Sequence, residues 1–218
     1  MSDARGQGGT AGGDAWELVR TLVERARAAQ SQYERYDQRA VDEVVLATGW
    51  AIMEPTRNRE LAELAVRDTG IGDVEDKVRK NYRKTLGLLR DLQGARTVGV
   101  IAEMPDKGLT EFARPVGVVG AITPSTNPAA TPANKIINAL KCRNSVIVAP
   151  SPKGQKTALR LTSMIHDRLV AIGMPRALAE GLVQVLPAPV DKARTHALMA
   201  QVDLVVATGS QANVRAAY

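Results

Sequence analysis

The sequence predicts an α/β protein in which helices and a hairpin precede a parallel sheet covered by helices on both faces. Three observations support this fold class. Apolar residues recur at helical spacings over the first part of the chain. A turn sequence at 105–108 separates two strand-like segments, and after Pro115 apolar strands alternate with helices. Such alternation is typical of parallel strands joined by right-handed crossovers.

The N-terminal part is predicted to be a tail followed by four helices. Residues 1–13 contain five glycines and few apolar side chains, so we expect them to be disordered. Apolar residues at spacings of three and four then predict helices at 14–28, 39–53, 59–68 and 73–93.

From residue 97 the apolar period changes to that of strands. Segments 97–103 and 109–114 flank the turn Pro105-Asp106-Lys107-Gly108, which predicts a hairpin. Further strands are predicted at 116–122, 145–149, 182–187 and 203–207. Helices are predicted at 129–141, 153–172, 191–200 and from residue 210 onward.

The composition is that of an ordinary soluble globular protein. Hydrophobic residues make up 44% and charged residues 24% of the 218 residues. No apolar run approaches the ~18 residues that span a bilayer, and the N-terminus lacks a secretory h-region. A single cysteine cannot form an intramolecular disulfide, which fits a reducing compartment. We therefore expect a cytoplasmic protein without a membrane partner.

The net charge of +6 raises the question of nucleic-acid binding. Much of the excess lies between Lys77 and Arg96, on one predicted helix. Aromatic residues, which would stack on bases, are only 3% of the chain. A solvated basic helix face is the commoner explanation, so we expect no nucleic-acid partner.

The polar segment Thr123-Pro124-Ser125-Thr126-Asn127-Pro128 follows the first strand of the predicted sheet. We call it the corner. It combines several hydrogen-bonding side chains with two prolines of fixed φ. Ligands of open α/β sheets bind outside the carboxyl ends of the strands, so the corner is the first candidate site. A turn in which Asn127 caps the following helix is the structural alternative.

A second candidate is Thr208-Gly209-Ser210, which follows the last predicted strand and precedes a helix. Gly209 would let a ligand approach the backbone, and Ser210 could cap a helix whose amino end favours a phosphate. The same turn also occurs in purely structural loops. No G-x-G-x-x-G is present, so the usual dinucleotide fingerprint is missing.

Three segments together resemble the aldehyde dehydrogenase superfamily and, within it, the CoA-acylating branch of acetaldehyde, propionaldehyde and sulfoacetaldehyde-type enzymes. They are PVGVVGAITPSTNPAATPANK (115–135), ALKCRNSVIVAPSPKG (139–154) and DLVVATGSQANVRAAY (203–218). The corner resembles the acylating branch because hydrolytic members more often have an aromatic residue before the asparagine. VEDKVRKNYRKT (74–85) also resembles the sulfoacetaldehyde-type enzymes.

The resemblance implies a partial aldehyde dehydrogenase fold: a helical segment with a hairpin arm at 14–114, then the first part of a Rossmann-like NAD-binding domain at 115–218. It implies that Asn127 stabilises an oxyanion. It also implies NAD as the cofactor. Hydrolytic members have a lysine that contacts ribose where Ala149 stands; its absence fits the acylating branch and leaves the choice between NAD and NADP open. The residues implied at the cofactor are Thr123, Pro124, Ser125, Thr126, Ala149, Pro150, Ser151, Thr208, Gly209 and Ser210.

By the same resemblance, the parent enzyme oxidises a short aldehyde to its acyl-CoA. A cysteine attacks the aldehyde, hydride passes to NAD, and the thioester is transferred to coenzyme A. That cysteine belongs to a catalytic domain which we expect to be absent here, so the chain alone should be inactive. The resemblance also implies homo-oligomers formed through the 97–114 hairpin.

The cysteine and the histidines are poor catalytic candidates by sequence. Cys142 lies between a predicted helix and strand, and buried cysteines usually behave as small apolar residues. His166 and His196 are expected to be packing or surface residues. So few ligand-type side chains make a metal site improbable.

Two alternatives to an acylating enzyme stay open. One is a hydrolytic aldehyde dehydrogenase. The other is an inactive binding or assembly module, either a truncated paralogue or a fragment that docks to a bacterial microcompartment shell. Acylating relatives are often packaged through an amphipathic helix, and 14–28 has such a pattern. Packing of this helix on its own domain is the competing interpretation.

Overall fold

Four helices form the N-terminal part of the chain, as the apolar spacing predicts. The computed structural model describes residues 8–215. These helices are α1 (Gly8–Tyr33), α2 (Gln38–Met53), α3 (Pro55–Thr69) and α4 (Val74–Leu92). Asp73 caps α4 by accepting a hydrogen bond from the Asp76 N–H at 2.9 Å. Gly70 ends α3 in the left-handed conformation, at φ 66°.

The predicted tail is longer than the structure allows. Because α1 begins at Gly8, residues 8–13 are helical, whereas residues 1–7 lie outside the described part of the chain. The prediction relied on the low helix propensity of glycine. Once a long helix has nucleated, each added residue gains a hydrogen bond, and this outweighs the propensity of a few glycines.

The predicted hairpin is present as a separate antiparallel sheet of two strands, β1 (Gly99–Met104) and β2 (Leu109–Ala113). A short 3₁₀ turn at Pro105–Lys107 joins the strands. The hairpin buries little of its apolar surface, and Phe112 is 60% exposed.

The second half of the chain forms one parallel sheet of four strands, β3 (Val118–Thr123), β4 (Ser145–Pro150), β5 (Val183–Val185) and β6 (Leu204–Ala207). Their order is β5-β4-β3-β6. The chain therefore builds outward from β3 on one side and then crosses back to pair β6 on the other. This is the strand order of half a doubly wound sheet, with its switch point between β3 and β6.

Five helices accompany these strands: α5 (Ala130–Lys141), α6 (Gln155–Ala171), α7 (Arg176–Leu182), α8 (Lys192–Gln201) and α9 (Gln211–Arg215). The sequence did not predict α7. This helix packs on α1 so closely that a Cβ at Gly181 would lie 2.6 Å from the Ala29 Cβ. The helix thus depends on a contact with a distant part of the chain, and the spacing of apolar residues within 176–182 does not indicate such a contact.

The two faces of the sheet bury alternate residues of each strand. Val119 and Val146 pack on one face beneath α2, α5 and α6. Val118 and Ile147 pack on the other face against α1 and α8. Val19, Val23 and Ala26 of α1 are therefore buried within the domain, as the packing interpretation of helix 14–28 requires, whereas Trp16 is 45% exposed. None of the helices within residues 8–215 combines the length and apolar character needed to cross a bilayer.

A carboxylate fixes the start of β3 to the start of β6. One oxygen of Asp203 accepts a hydrogen bond from the Val118 N–H at 2.7 Å, and the other forms an ion pair with Arg27 of α1 at 2.9 Å. Gly117 passes directly over this carboxylate at φ 119°. A Cβ at that position would overlap the Asp203 carboxylate, so the residue must be glycine for steric as well as conformational reasons.

We expect Gly117→Ala to lower the free energy of unfolding by about 1–3 kcal/mol from the strained backbone conformation alone. The overlap of the added Cβ with the Asp203 carboxylate should lower it further. Gly87→Ala is the matched control. Gly87 lies inside α4 with nothing within 4 Å of an added Cβ, so alanine should stabilise the helix by about 0.5–1 kcal/mol. Urea unfolding of both variants measures the difference. Equal stability of Gly117→Ala and the wild type would contradict the steric argument.

Candidate functional site

The carboxyl ends of three strands meet at one edge of the sheet. In the strand register, Thr123 lies beside Pro150 and Ile122 lies beside Ala207. The backbone continues this pairing beyond the strands. The Ser151 N–H donates to the Thr123 carbonyl, and the Thr208 N–H donates to the Ile122 carbonyl, each at 3.0 Å. The turn after β4 and the glycine turn after β6 therefore begin on opposite sides of β3, and β3 itself leads into the corner.

These three strand ends open into a cleft of about 920 Å³ at the switch point. The structure brings together in its lining all ten residues that the resemblance placed at a cofactor: Thr123, Pro124, Ser125, Thr126, Ala149, Pro150, Ser151, Thr208, Gly209 and Ser210. Asn127 is not a lining residue and directly follows the cleft wall. Residues from three segments that are far apart in the chain thus form one continuous surface, the floor of this cleft.

The opposite wall of the cleft was not predicted. It is formed by α8 and the loop before it, which contribute Val190, Asp191, Lys192, Thr195, His196 and Met199. His196, for which we expected a packing or surface role, is one of them. The signal was present, since positions 192, 195, 196 and 199 have the spacing of one helix face. The buried residues of α8, Ala197 and Leu198, define only its core-facing side, whereas the cleft-lining residues lie on a different side of the helix.

Two hydroxyl groups in the cleft wall lack partners. Thr123 is 3% exposed, and its Oγ1 makes no hydrogen bond to the described residues. Ser151 Oγ is likewise buried and unpartnered within the described part of the chain. An unsatisfied buried hydroxyl destabilises the fold. Both residues line the cleft, so the hydroxyl and phosphate oxygens of a nucleotide are the kind of partner that fits them.

The formal charges of the described lining residues balance, with one acid, Asp191, and one lysine, Lys192. Asp191 is the only acid among the described residues that line the cleft, and its carboxylate accepts the Arg194 N–H at 2.8 Å as the N-cap of α8. Lys192 supplies a permanent positive charge on the same wall. Little negative charge therefore opposes a phosphate-bearing ligand.

The structure does not support the capping interpretation of Asn127. The N-cap residue of α5 is Ala129, and it receives no capping bond from a described side chain. Only the backbone of Asn127 takes part in the turn, where its carbonyl accepts the Thr131 N–H at 3.2 Å. The Asn127 Oδ1 atom is buried without a partner among the described residues. Within the described part of the chain, its side-chain amide takes part in no hydrogen bond.

Cys142 and His166 lie away from this cleft. Cys142 follows α5 and precedes β4, at the edge of the sheet opposite the strand ends. Partial burial raises the pKa of its thiol, although Lys141 and Arg143 act in the other direction. Burial lowers the pKa of His166, and its Nε2 lies 2.8 Å from the Val183 carbonyl. Within residues 8–215, no three His, Cys, Asp or Glu side chains cluster as metal ligands would.

Comparisons with known proteins bear on the identity of the chain. A model of the aldehyde dehydrogenase family matches residues 10–218. Sulfoacetaldehyde dehydrogenase (acylating) of Cupriavidus necator is 67% identical over 204 residues, which are 94% of this chain and 41% of that protein. The chain therefore spans about two-fifths of the length of the curated relatives it matches.

Solved structures give the same result for the fold. An acetylating aldehyde dehydrogenase from Geobacillus thermoglucosidasius superposes with a TM-score of 0.86 at 32% identity, over 95% of this chain and 45% of that chain. A propionaldehyde dehydrogenase from Rhodopseudomonas palustris, solved with bound CoA and an acylated cysteine, has a TM-score of 0.77 at 31% identity, over 91% and 44%.

Two further structural neighbours concern cofactor and location. An engineered glycolyl-CoA reductase with bound NADP⁺ has a TM-score of 0.77 at 31% identity, over 91% of this chain and 44% of that chain. A propionaldehyde dehydrogenase from a fucose utilisation bacterial microcompartment of Clostridium phytofermentans has a TM-score of 0.76 at 26% identity, over 91% and 44%. Family model, curated relative and structural neighbours agree over nearly the whole chain, and the chain belongs to the aldehyde dehydrogenase family.

Proposed function

We propose that this chain is the N-terminal, nucleotide-binding part of a CoA-acylating aldehyde dehydrogenase, which oxidises a short aldehyde to its acyl-CoA. The observation that carries the proposal is the cleft at the switch point of the sheet, where the corner, the turn after β4 and the glycine turn face α8. In open α/β sheets this is the position at which dinucleotides bind.

In this proposal the cleft holds NAD, with NADP as the alternative. The bound dinucleotide supplies the acceptor for the hydride that leaves the substrate. The hydroxyls of Thr123 and Ser151 hydrogen-bond the ligand, which removes the cost of leaving them unpaired. Gly209 lets the ligand approach the backbone, and Lys192 attracts its phosphates. Ala149 offers no long side chain to the ribose, so this position does not discriminate between NAD and NADP.

Asn127 is proposed as the hydrogen-bond donor to the oxyanion formed when a thiolate attacks the aldehyde. Its amide is not engaged in any bond among the described residues, and its backbone is held in the turn before α5. A donor held in place before reaction stabilises developing negative charge without reorganisation. We propose that the thiolate comes from outside residues 1–218, because Cys142 lies at the opposite edge of the sheet.

Sulfoacetaldehyde is the proposed aldehyde, since the relative with 67% identity carries that name, and coenzyme A is the proposed acyl acceptor. Homo-oligomer formation through the 97–114 hairpin is also a proposal, supported by the exposed apolar residues Leu109 and Phe112. Residence in the cytoplasm is proposed because a single cysteine fits a reducing compartment, and residence in a microcompartment because of the likeness to the Clostridium phytofermentans enzyme. Val19, Val23 and Ala26 of α1 pack inside the domain and are therefore not available for shell docking.

A bulky ring on the inner face of α8 should block the cleft. We expect His196→Trp to weaken binding of NADH to the chain by at least about tenfold, or 1.4 kcal/mol. Ala193→Trp is the control, because Ala193 is exposed on the same helix and does not line the cleft. Isothermal titration calorimetry with NADH and NADPH measures both variants. Undiminished binding by His196→Trp would place the nucleotide elsewhere, and absence of NADH and NADPH binding by the wild type would refute the proposed cofactor.

Removal of the unpartnered Thr123 hydroxyl should weaken the binding of NADH without lowering the free energy of unfolding. Thr123→Val loses no hydrogen bond among the described residues, so the free energy of unfolding should be unchanged or slightly higher. Binding of NADH should weaken about three- to tenfold, because one hydrogen bond to the ligand is lost. Thr85→Val is the matched control: this hydroxyl is also buried and unpartnered but lies in α4, so both quantities should stay constant. Unchanged NADH affinity in Thr123→Val would remove Thr123 from the binding site.

Asn127 is tested in the full-length reading frame that contains this chain. We expect Asn127→Ala to lower kcat for acyl-CoA formation by about 10²–10³, the usual effect of removing one oxyanion donor. Asn138→Ala on the exposed side of α5 should leave kcat unchanged. The rate is followed by the absorbance of the reduced nicotinamide. A decrease confined to substrate affinity would assign Asn127 to binding and not to the oxyanion.

A further inference from the structure

Lys77 departs from the solvated basic face that the sequence predicts for α4. Its neighbours Arg79, Lys80 and Lys84 are exposed, whereas Lys77 is 6% exposed. Its Nζ crosses to the second half of the chain and donates a hydrogen bond to the Thr126 carbonyl at 2.6 Å. The helical part of the chain thus contacts the corner through a buried ammonium group.

This ammonium group has no acidic partner within residues 8–215. Among the ion pairs of the described residues, none involves Lys77, and its hydrogen bond goes to the backbone carbonyl of Thr126. Burial lowers the pKa of Lys77, and the charge of Lys80 lowers it further. A buried cation without a carboxylate is costly to the fold, so the contact needs an explanation beyond stability.

The Thr126 carbonyl belongs to the same planar peptide group as the Asn127 nitrogen, and the Asn127 Cα lies in that plane. A hydrogen bond to this oxygen therefore holds the peptide that precedes Asn127. The next peptide is held as well, because the Asn127 carbonyl accepts the Thr131 N–H at 3.2 Å. Beyond it Pro128 is confined by Gly154, where an added Cβ would lie 2.8 Å from the Pro128 Cβ.

We infer that Lys77 is a positioning residue for Asn127, holding the Thr126–Asn127 peptide so that the otherwise unbonded amide points toward the reacting aldehyde. This inference rests on the proposed oxyanion role of Asn127. The side-chain amide has no hydrogen bond of its own among the described residues, so the two flanking peptides are the hydrogen-bonded groups that set the position from which it projects. Lys77 holds one of these peptides from a different part of the fold.

The kinetic test uses the full-length protein with Lys77→Met, Asn127→Ala and the double variant, and Lys84→Met as the exposed control on α4. Lys77→Met should lower kcat by about tenfold to a hundredfold with little change in KM for the aldehyde, since misplacement of a reacting group has effects of this size. The double variant should be no slower than Asn127→Ala alone. The inference would be overturned if the double variant lost kcat by the product of the two single-variant factors, or if kcat of Lys77→Met equalled that of the wild type.

Hydrogen exchange of the 218-residue chain provides a second test that does not depend on activity. In Lys77→Met the Thr131 amide, which is bonded to Asn127, should exchange faster than in the wild type. The Ser151 amide, bonded to β3, should be unchanged. Equal exchange at Thr131 would overturn the positioning role even if the parent enzyme is active. If the wild-type protein forms no acyl-CoA, the proposed function fails, while faster exchange would still establish that Lys77 holds the corner.

Should Lys77→Met not fold, Lys77→Gln replaces it in both tests. Glutamine is shorter and neutral, and it keeps a polar group in the buried position. The expected changes in kcat and in Thr131 exchange have the same direction. Normal kcat together with normal exchange in Lys77→Gln would show that the ammonium group is not needed.

Discussion

The position of every residue in the cleft depends on the pairing of β3 with a parallel neighbour on each side. β4 and β6 meet β3 in registers that bring Pro150 and Ala207 level with its last two residues. Asp203 secures this arrangement at the other end of the strands by bonding the start of β3 from the start of β6. A shift of either neighbour by one residue would turn its side chains to the opposite face. The three turns that form the cleft floor would then no longer meet.

The same arrangement leaves polar groups unsatisfied where the chain closes around the cleft. Thr123, Ser151 and Asn127 each have a buried oxygen without a partner among the described residues. Native folds keep few such groups, because each one favours unfolding. That three of them occur within two adjacent turns indicates that local stability was not the only requirement on these residues.

The sequence was sufficient to locate those turns because a short apolar run followed by a polar segment defines the end of a buried strand. The corner and the glycine turn could be placed at one sheet edge by topology alone. The α8 wall was not predicted because the spacing of its residues shows that they share one side of the helix but does not show that this side faces a cleft. The burial of Lys77 was missed for a different reason, since its partner is a backbone carbonyl 49 positions away and carries no side-chain signal. α7 likewise depends on contact with α1.

Gly154 shows how an element outside the cleft can constrain the chemistry proposed inside it. It lies in the short turn after β4, does not line the cleft, and leaves no room for a methyl group beside Pro128. The loops that follow β3 and β4 therefore interlock sterically, and neither can change its shape independently of the other. A larger residue at position 154, in the loop after β4, would push against the Pro128 ring and so displace Asn127, which precedes it. A change in one of these two loops therefore calls for a matching change in the other.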